Sequence, residues 1–430
     1  MRFLYSTTLY LLSPLVFARL LWRSLRAPDY RRRWVERLGI FLAPETGGAI
    51  WVHAVSVGEV QAAVPLVRAL AQRNPGVPVL ITTMTPTGSR RVRELFGDEV
   101  LHVYVPYDLP GAVRRFLRRV RPRVAIVMET ELWPNLFHRC RERGVPVVVA
   151  NARLSERSAA GYRRVTALIR ATLRDVSVIA AQTQADADRF ESLGAAPGSL
   201  RVTGSVKFDL NLTASLREQA EVLRRGLGSS RPVWIAASTR EGEEEPVLEA
   251  FARVRDAVPD TLLVLVPRHP ERFGRVASQC RRQGLEVVLR SEGGACTDST
   301  HVYLGDTLGE LPVMYAAADT AFVGGSLVPA GGHNPLEPAA LGLPVIFGPY
   351  TYNFLEIAER LLEVDGARRV RSAAELAEVV VTFLRDANLR HTVGENGRQF
   401  VQRNKGARDR LLAIVEELGA NVDRRAQRAN

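Results

Sequence analysis

Residues 49–60 read AIWVHAVSVGEV, and this stretch decides the fold. AIWVHAV (49–55) is an unbroken apolar run of strand length, and an amphipathic segment from Glu59 to Gln72 follows it after a short turn. A continuous apolar strand handed straight to a helix belongs in a parallel sheet whose two faces are both covered. The alternation recurs through the first half at VPVLITT (77–83), VLHVYV (100–105), VAIVM (124–128), VPVVVA (145–150), VSVIAAQ (176–182) and LRVTGSV (200–206), with helical stretches such as Ala112 to Val120 between. A polar, Arg-rich helical connector at 211–231 precedes a second series: PVWIAAS (232–238), TLLVLVPRH (261–269), EVVLR (286–290), HVYLGD (301–306), TAFVGGS (320–326) and LPVIFG (343–348). The pattern predicts two doubly wound α/β domains in tandem, with ligands at the carboxyl ends of the strands. Beyond Asn353 the chain reads as helical, through Ala374 to Arg385 and Asn388 to Val401, to a last helix at Arg408 to Leu418 and a frayed tail at 421–430.

A chain of 430 residues exceeds the usual single-core size of about 250–300 residues, which agrees with two domains. The formal charge of +12 points to an anionic partner: nucleic acid, an acidic membrane surface or a phosphorylated substrate. Arginine carries nearly all of it, since Lys207 and Lys405 are the only lysines. Cys140, Cys280 and Cys296 are scattered and form no CxxC, as expected of a reducing compartment rather than a disulfide framework.

Phe3 to Trp22 reads FLYSTTLYLLSPLVFARLLW, with one charge, Arg19, close enough to its end to snorkel. Arg23, Arg26, Arg31, Arg32 and Arg33 follow it, so the positive-inside bias keeps the body in the cytoplasm. An uncleaved single anchor is expected; Pro14 and the marginal length leave open a helix lying in the membrane interface, and a buried helix of the first domain is the plain alternative.

Chemistry-bearing residues cluster just after the strands. In GGHNPLEP (331–338), Gly331 and Gly332 allow close backbone approach, Asn334 suits a helix N-cap, Pro335 the first helical position, and Glu337 follows the cap by three. A helix start there would favour phosphate; a ligand-free capping box is the alternative. Ser56-Val57-Gly58-Glu59 reads equally as a capping box or as a general base, Glu59, kept ionised by the helix field. Glu129 and Glu131 stand beside Trp133, to orient a hydroxyl or to cap the helix near Pro134. Lys207 ends a strand at the connector. Ser238-Thr239-Arg240 suits a phosphate, with the acidic run behind it read as a solvated helix start, and Arg268 closes another strand. His53, within a strand, reads as a satisfied core residue. No HxxxH pairs with carboxylates, no GxxxxGK[ST], no GxSxG and no GxGxxG opening a βαβ unit is present, which argues against metal-dependent chemistry, P-loop NTPases, serine hydrolases and standard dinucleotide enzymes.

The segments AIWVHAVSVGEV, METELWPN, NARLSERS, TGSVKFD, ASTREGEEE, VPRHPERF and FVGGSLVPAGGHNPLEPAALGLPVIFGPYTYNF together resemble those of the lipid A-specific 3-deoxy-D-manno-octulosonic acid (Kdo) transferases, over nearly the whole chain. The resemblance implies a GT-B glycosyltransferase: an N-terminal membrane-anchor helix (1–25), a Rossmann-like acceptor domain (26–210), a connector (211–231), a Rossmann-like CMP-Kdo domain (232–405) and a C-terminal helix with a frayed tail (406–430) that returns to the first domain. It implies inverting, metal-independent transfer of Kdo from CMP-Kdo to the lipid A precursor lipid IVA, without a cofactor, at the cytoplasmic face of the inner membrane. Its partners would be CMP-Kdo, that acceptor and anionic lipids, with no nucleic acid. Carried over, Glu59 is the base; Arg268, Asn334 and Glu337 contact CMP, with Gly331 and Gly332 near its phosphate; Lys207 and Ser238 meet phosphate or the Kdo carboxylate. Ser56, Gly58, Glu129 and Glu131 belong to the acceptor side of the cleft. The chain departs from the family pattern at Arg240, where histidine is usual, at Ser205, where asparagine is common, and at Pro329-Ala330. Two other readings stand beside this one: a membrane-bound GT-B enzyme using a UDP-sugar, and a non-catalytic module binding anionic lipid.

Overall fold

The computed structural model describes residues 1–26, 28–42, 48–210 and 213–429. The chain divides into two compact units, Met1–Asp209 with Lys405–Asn430, and Leu210–Asn404. The first is built on β1 (Ile50–His53), β2 (Val79–Thr83), β3 (Leu101–Tyr104), β4 (Val124–Met128), β5 (Val147–Ala152), β6 (Val178–Ala181) and β7 (Leu200–Val202), a parallel sheet in the order β3-β2-β1-β4-β5-β6-β7. The second unit holds β8 (Val233–Thr239), β9 (Leu262–Pro267), β10 (Val287–Leu289), β11 (Val302–Leu304), β12 (Thr320–Val323), β13 (Val345–Phe347) and β14 (Ala367–Arg369), parallel in the order β10-β11-β9-β8-β12-β13-β14.

Each expected apolar run meets one of these strands, shifted by a few residues at its ends. β14 is the exception, since it lies where the chain was read as helical. Its three residues include Arg368 and Arg369, and it is a strand because Ala367 to Arg369 pair in register with Val345 to Phe347 at the sheet edge. No local pattern announces such a strand.

Alternate residues along the central strands serve opposite faces. Trp51, Val127 and Val149 pack with Phe116 and Phe137 on one side of the first sheet, and Ile50, Val52, Ile126 and Val148 with Leu66 and Leu70 on the other. The second face also takes Leu411, Leu412 and Val415 from the last helix, Ala407–Ala429, which is longer than the sequence pattern suggested. Burial of each such side chain is worth about 1.5–3 kcal/mol. Asp209 fixes the start of that helix, accepting the amides of Gly406 and Arg408 at 2.6 Å each. In the supposed connector, Ala214–Leu227 is a helix of the second unit whose Leu223 and Leu227 enter that unit's core; Asn211 and Leu212 lie outside the described residues, as does Asn430 at the tail.

Helix α1 (Arg2–Arg26) is long and apolar enough to cross a membrane, and it fits a membrane anchor. One face touches the first unit, where the Tyr5 hydroxyl donates to Asp108 Oδ2 at 3.1 Å and the Phe17 ring meets Tyr107 edge-on at 5.8 Å.

Both sheets are wound outward from a central strand. The first reverses direction between β1 and β4, the second between β8 and β12. At such a reversal the loops leaving two adjacent strands diverge to opposite faces and open a crevice at the strands' carboxyl ends.

Candidate active site

The crevice of the first unit is acidic. Ser56 caps the helix Val57–Arg73, its Oγ accepting the Glu59 amide at 3.2 Å. The Glu59 carboxylate turns back to receive the Ser56 hydroxyl and the Val55 amide, both at 2.8 Å, so a reciprocal cap forms that reaches the amide before Ser56 rather than that of Ser56 itself. It nonetheless leaves Glu59 titratable. Burial, only partly offset by those two hydrogen bonds and reinforced by Glu129 and Glu131, pushes its carboxyl up to about 7. Desolvation thus outweighs the cap and works against the ionised form that the helix field favours. Gly58 lies beside it in the helix's first turn.

Glu129, leaving β4, has φ 58°, and Asn151, near the end of β5, has φ 54°. Left-handed backbone at such residues costs about 1–3 kcal/mol each and concentrates where a side chain must be aimed. Glu131 accepts the Trp133 indole N–H at 3.0 Å, and burial raises its carboxyl. Neither glutamate caps the helix Pro134–Glu142. Asp108, from a distant loop, does so by accepting the amides of Asn135 and Leu136 at 3.0 and 2.8 Å. His53 is a core residue as expected but is satisfied on one side alone: its Nδ1 is 2.9 Å from Thr82 Oγ1, its Nε2 is buried without a protein partner, and burial lowers it to about 4.

The crevice of the second unit is lined by cationic and polar groups. Ser238, at the end of β8, has φ 59°, and Gly324 lies so close to it that a Cβ would stand 2.8 Å from the Ser238 carbonyl oxygen. Arg240 reaches His269, with Nη1 2.8 Å from Nε2. Arg240 Nε, His333 Nε2 and Thr351 Oγ1 are buried without a protein partner, the kind of polar atoms a bound ligand satisfies. Burial first, then Arg268 and Arg240, lower His333 to about 4, so it is neutral at ordinary pH. Arg268 is exposed at the end of β9; its charge opposes the burial that raises the Glu337 carboxyl.

The GGHNPLEP loop differs from its sequence reading. Its helix, Leu336–Ala340, is a mere five residues with Pro335 as N-cap. Asn334 Oδ1 accepts the Leu336 amide at 3.1 Å, while its Nδ2 donates to Glu337 Oε1 at 3.2 Å, so no reciprocal capping box forms. The amides of Gly332 and His333 are already bonded to the carbonyls of Gly325 and Gly324, at 2.7 and 3.1 Å. Gly331 has φ 95°, and a Cβ there would come within 2.3 Å of Asn353 Nδ2. The loop's glycines thus serve its folding onto 324–325.

Glu243 was missed. Read from sequence as part of a solvated acidic run, it is fully buried, and its carboxylate accepts four amides: Arg240 and Gly325 on Oε2 at 2.8 and 2.6 Å, Ser326 and Leu327 on Oε1 at 2.9 and 2.8 Å. Its neighbour Glu244 is also buried, in a bidentate pair with Arg272 at 2.7 Å. Burial of Glu243 against the loop after β12, and of Glu244 against Arg272, is a long-range fact that a run of charges conceals. The predicted site residues therefore fall into two groups: Ser56, Gly58, Glu59, Glu129 and Glu131 in the first unit; Ser238, Arg268, Gly331, Gly332, Asn334 and Glu337 in the second. Lys207 belongs to the first unit, in the turn Val206–Phe208, and does not end a strand. Among the described residues no three His, Cys, Asp or Glu side chains gather as a metal site would require.

Residues 32–210 match the family model described as 3-deoxy-D-manno-octulosonic-acid transferase (kdotransferase). A 3-deoxy-D-manno-octulosonic acid transferase of Haemophilus influenzae is 44% identical over 96% of this chain and 98% of its own length. This chain belongs to the Kdo transferase family. A Kdo transferase of Bordetella pertussis is 38% identical over 97% of the chain and 99% of its own. Among solved structures, a UDP-GlcNAc 2-epimerase from Neisseria meningitidis aligns over 86% of the chain and 100% of its own at TM-score 0.58 and 13% identity, a likeness of fold alone. The chain has the GT-B fold class, with two Rossmann-like units and an N-terminal apolar helix. It is a glycosyltransferase that transfers Kdo, and the readings as a UDP-sugar enzyme or a non-catalytic lipid-binding module fall with that membership.

Proposed function

We propose that this transferase moves Kdo from CMP-Kdo to the lipid A precursor lipid IVA, with inversion and without a metal ion, at the cytoplasmic face of the inner membrane. The observation that carries the proposal is Glu59: a buried carboxylate at the reversal point of the first sheet, steadied by Ser56 and Val55, with its pKa pushed up to about 7. A carboxylate so poised is a competent base near neutrality. It takes the proton of an acceptor hydroxyl as that oxygen forms its bond to the anomeric carbon of Kdo; the bond to the CMP phosphate breaks on the opposite face, and CMP leaves with the electron pair. Glu129 and Glu131 orient the acceptor. In the second unit Arg268, Ser238 and Arg240 meet the anionic donor, and Asn334 with Glu337 holds the loop beside it. Cations and fixed dipoles then stabilise the departing phosphate, the task a metal performs elsewhere.

Transfer from CMP-Kdo generated in situ to a tetraacylated disaccharide bisphosphate, followed by mass spectrometry with EDTA present, tests this. Wild-type transfer should survive EDTA and collapse in Glu59→Gln, and the product mass counts the sugars added. A CMP-binding enzyme that leaves this acceptor untouched would refute the acceptor; loss of transfer in EDTA would refute metal independence.

A further inference from the structure

The apolar stretch that suits a transmembrane span does not stand clear of the body. Tyr5, Leu9, Ser13, Phe17, Leu20 and Ser24 recur every three or four residues along α1, and each is buried or half-buried. That periodicity marks one helix face turned toward the body, fully buried at Leu20 and Ser24. The face runs from Tyr5 to Ser24, about 28 Å at about 1.5 Å per residue, nearly the ~30 Å of a bilayer's hydrocarbon core. Its polar groups are specifically matched. Tyr5 donates to Asp108, Ser6 Oγ donates to Asn135 Oδ1 at 3.0 Å, and the Gly111 amide donates to the Tyr10 hydroxyl at 3.3 Å. Phe17 packs between Trp34 and Tyr107, with ring centroids 6.3 and 5.8 Å away.

Were α1 to cross the bilayer in this arrangement, the buried Asp108 carboxylate and the loop 107–111 would be carried to membrane depth, which hydrocarbon does not tolerate. The opposite face is strongly apolar: Leu4, Leu11, Leu15, Trp22 and Leu25 are each more than half exposed. Arg19 and Arg23 are also exposed on the helix. A recess of about 860 Å³ in the first unit includes Arg32, Arg33, Arg90 and Arg93 against Asp29 and Glu94, an excess of positive charge following the end of α1. An apolar helix face with arginines beside it complements an anionic bilayer surface.

We propose that α1 is an in-plane anchor: it stays docked along the first unit and lays its outward face into one leaflet of an anionic membrane, with its N-terminus on the same side as the catalytic body. The proposal rests on the reading of α1 as a membrane anchor. Pro14 does not break the helix, because the Tyr10 carbonyl it leaves without an amide partner accepts the Ser13 hydroxyl at 2.8 Å.

The test uses the full chain with a cysteine added before Met1 and Cys296→Ser, since Cys140 and Cys280 are buried. Inverted cytoplasmic-membrane vesicles from expressing cells, in which trypsin confirms that the body faces outward, are treated with a membrane-impermeant maleimide. Equal labelling before and after detergent is expected, and labelling that requires detergent would overturn the in-plane anchor. Leu11→Glu with Leu15→Glu should cut flotation with vesicles several-fold while leaving transfer to detergent-dispersed acceptor intact; unchanged flotation would also overturn the proposal. A wild-type chain that fails to float at all would refute the anchor reading instead.

Discussion

The two crevices share one architecture and carry opposite chemistry. Each opens where a parallel sheet reverses its winding, between β1 and β4 in one unit and β8 and β12 in the other. The first presents Glu59, Glu129 and Glu131, and burial first, then the neighbouring carboxylates, raises Glu59 and Glu131. The second presents Arg240 and Arg268, and its buried Glu243 carboxylate is consumed by four backbone amides. On the proposed reading the labours divide accordingly: Glu59, with two hydrogen bonds to its carboxylate, would take the proton, while Glu243, held by four amides, braces the loop 325–327.

Four expectations bear on that division. Glu59→Gln should lower kcat by about 10³-fold, within the usual contribution of a general base, while CMP binding measured by calorimetry is unchanged; a loss confined to KM would erase the contrast. Glu243→Gln removes one of two acceptor oxygens among four facing amides and should destabilise the second unit by about 3 kcal/mol in urea unfolding, since each stranded buried donor costs about 1–3 kcal/mol. If Glu243 were instead a proton carrier, the variant would be stable and slow. Arg268→Ala should weaken CMP binding about tenfold, as loss of one charge-assisted contact does, and leave the acid limb of the rate profile in place. The smallest effect is a shift. The base must be deprotonated, so kcat/KM should fall as pH drops through about 7; Glu131→Gln removes a negative neighbour, favours the ionised Glu59 and should move that limb down by about half a unit.

Much of the first crevice was legible because its geometry is local. Ser56 and Glu59 lie three residues apart at a helix start, and their reciprocal hydrogen bonds follow from that spacing alone. The same motif logic misled at Asn334 and Glu337, where the chain leaves helical geometry after five residues and the two side chains bond to each other. The acidic run at 241–245 misled for another reason. Its hydrophilicity is real, but the position of Glu243 against Gly325, Ser326 and Leu327 brings together residues more than 80 apart.

The sequence by itself determined two parallel α/β units, the strands within them and an apolar N-terminal helix, because hydrophobic periodicity and helix caps act over a few residues. Only the tertiary structure decided that Asp108 caps the helix Pro134–Glu142, that three residues of β14 form an edge strand, and that α1 lies along the body. Each of those depends on a group finding its partner across a long loop, and a partner's identity is written in no single stretch of chain.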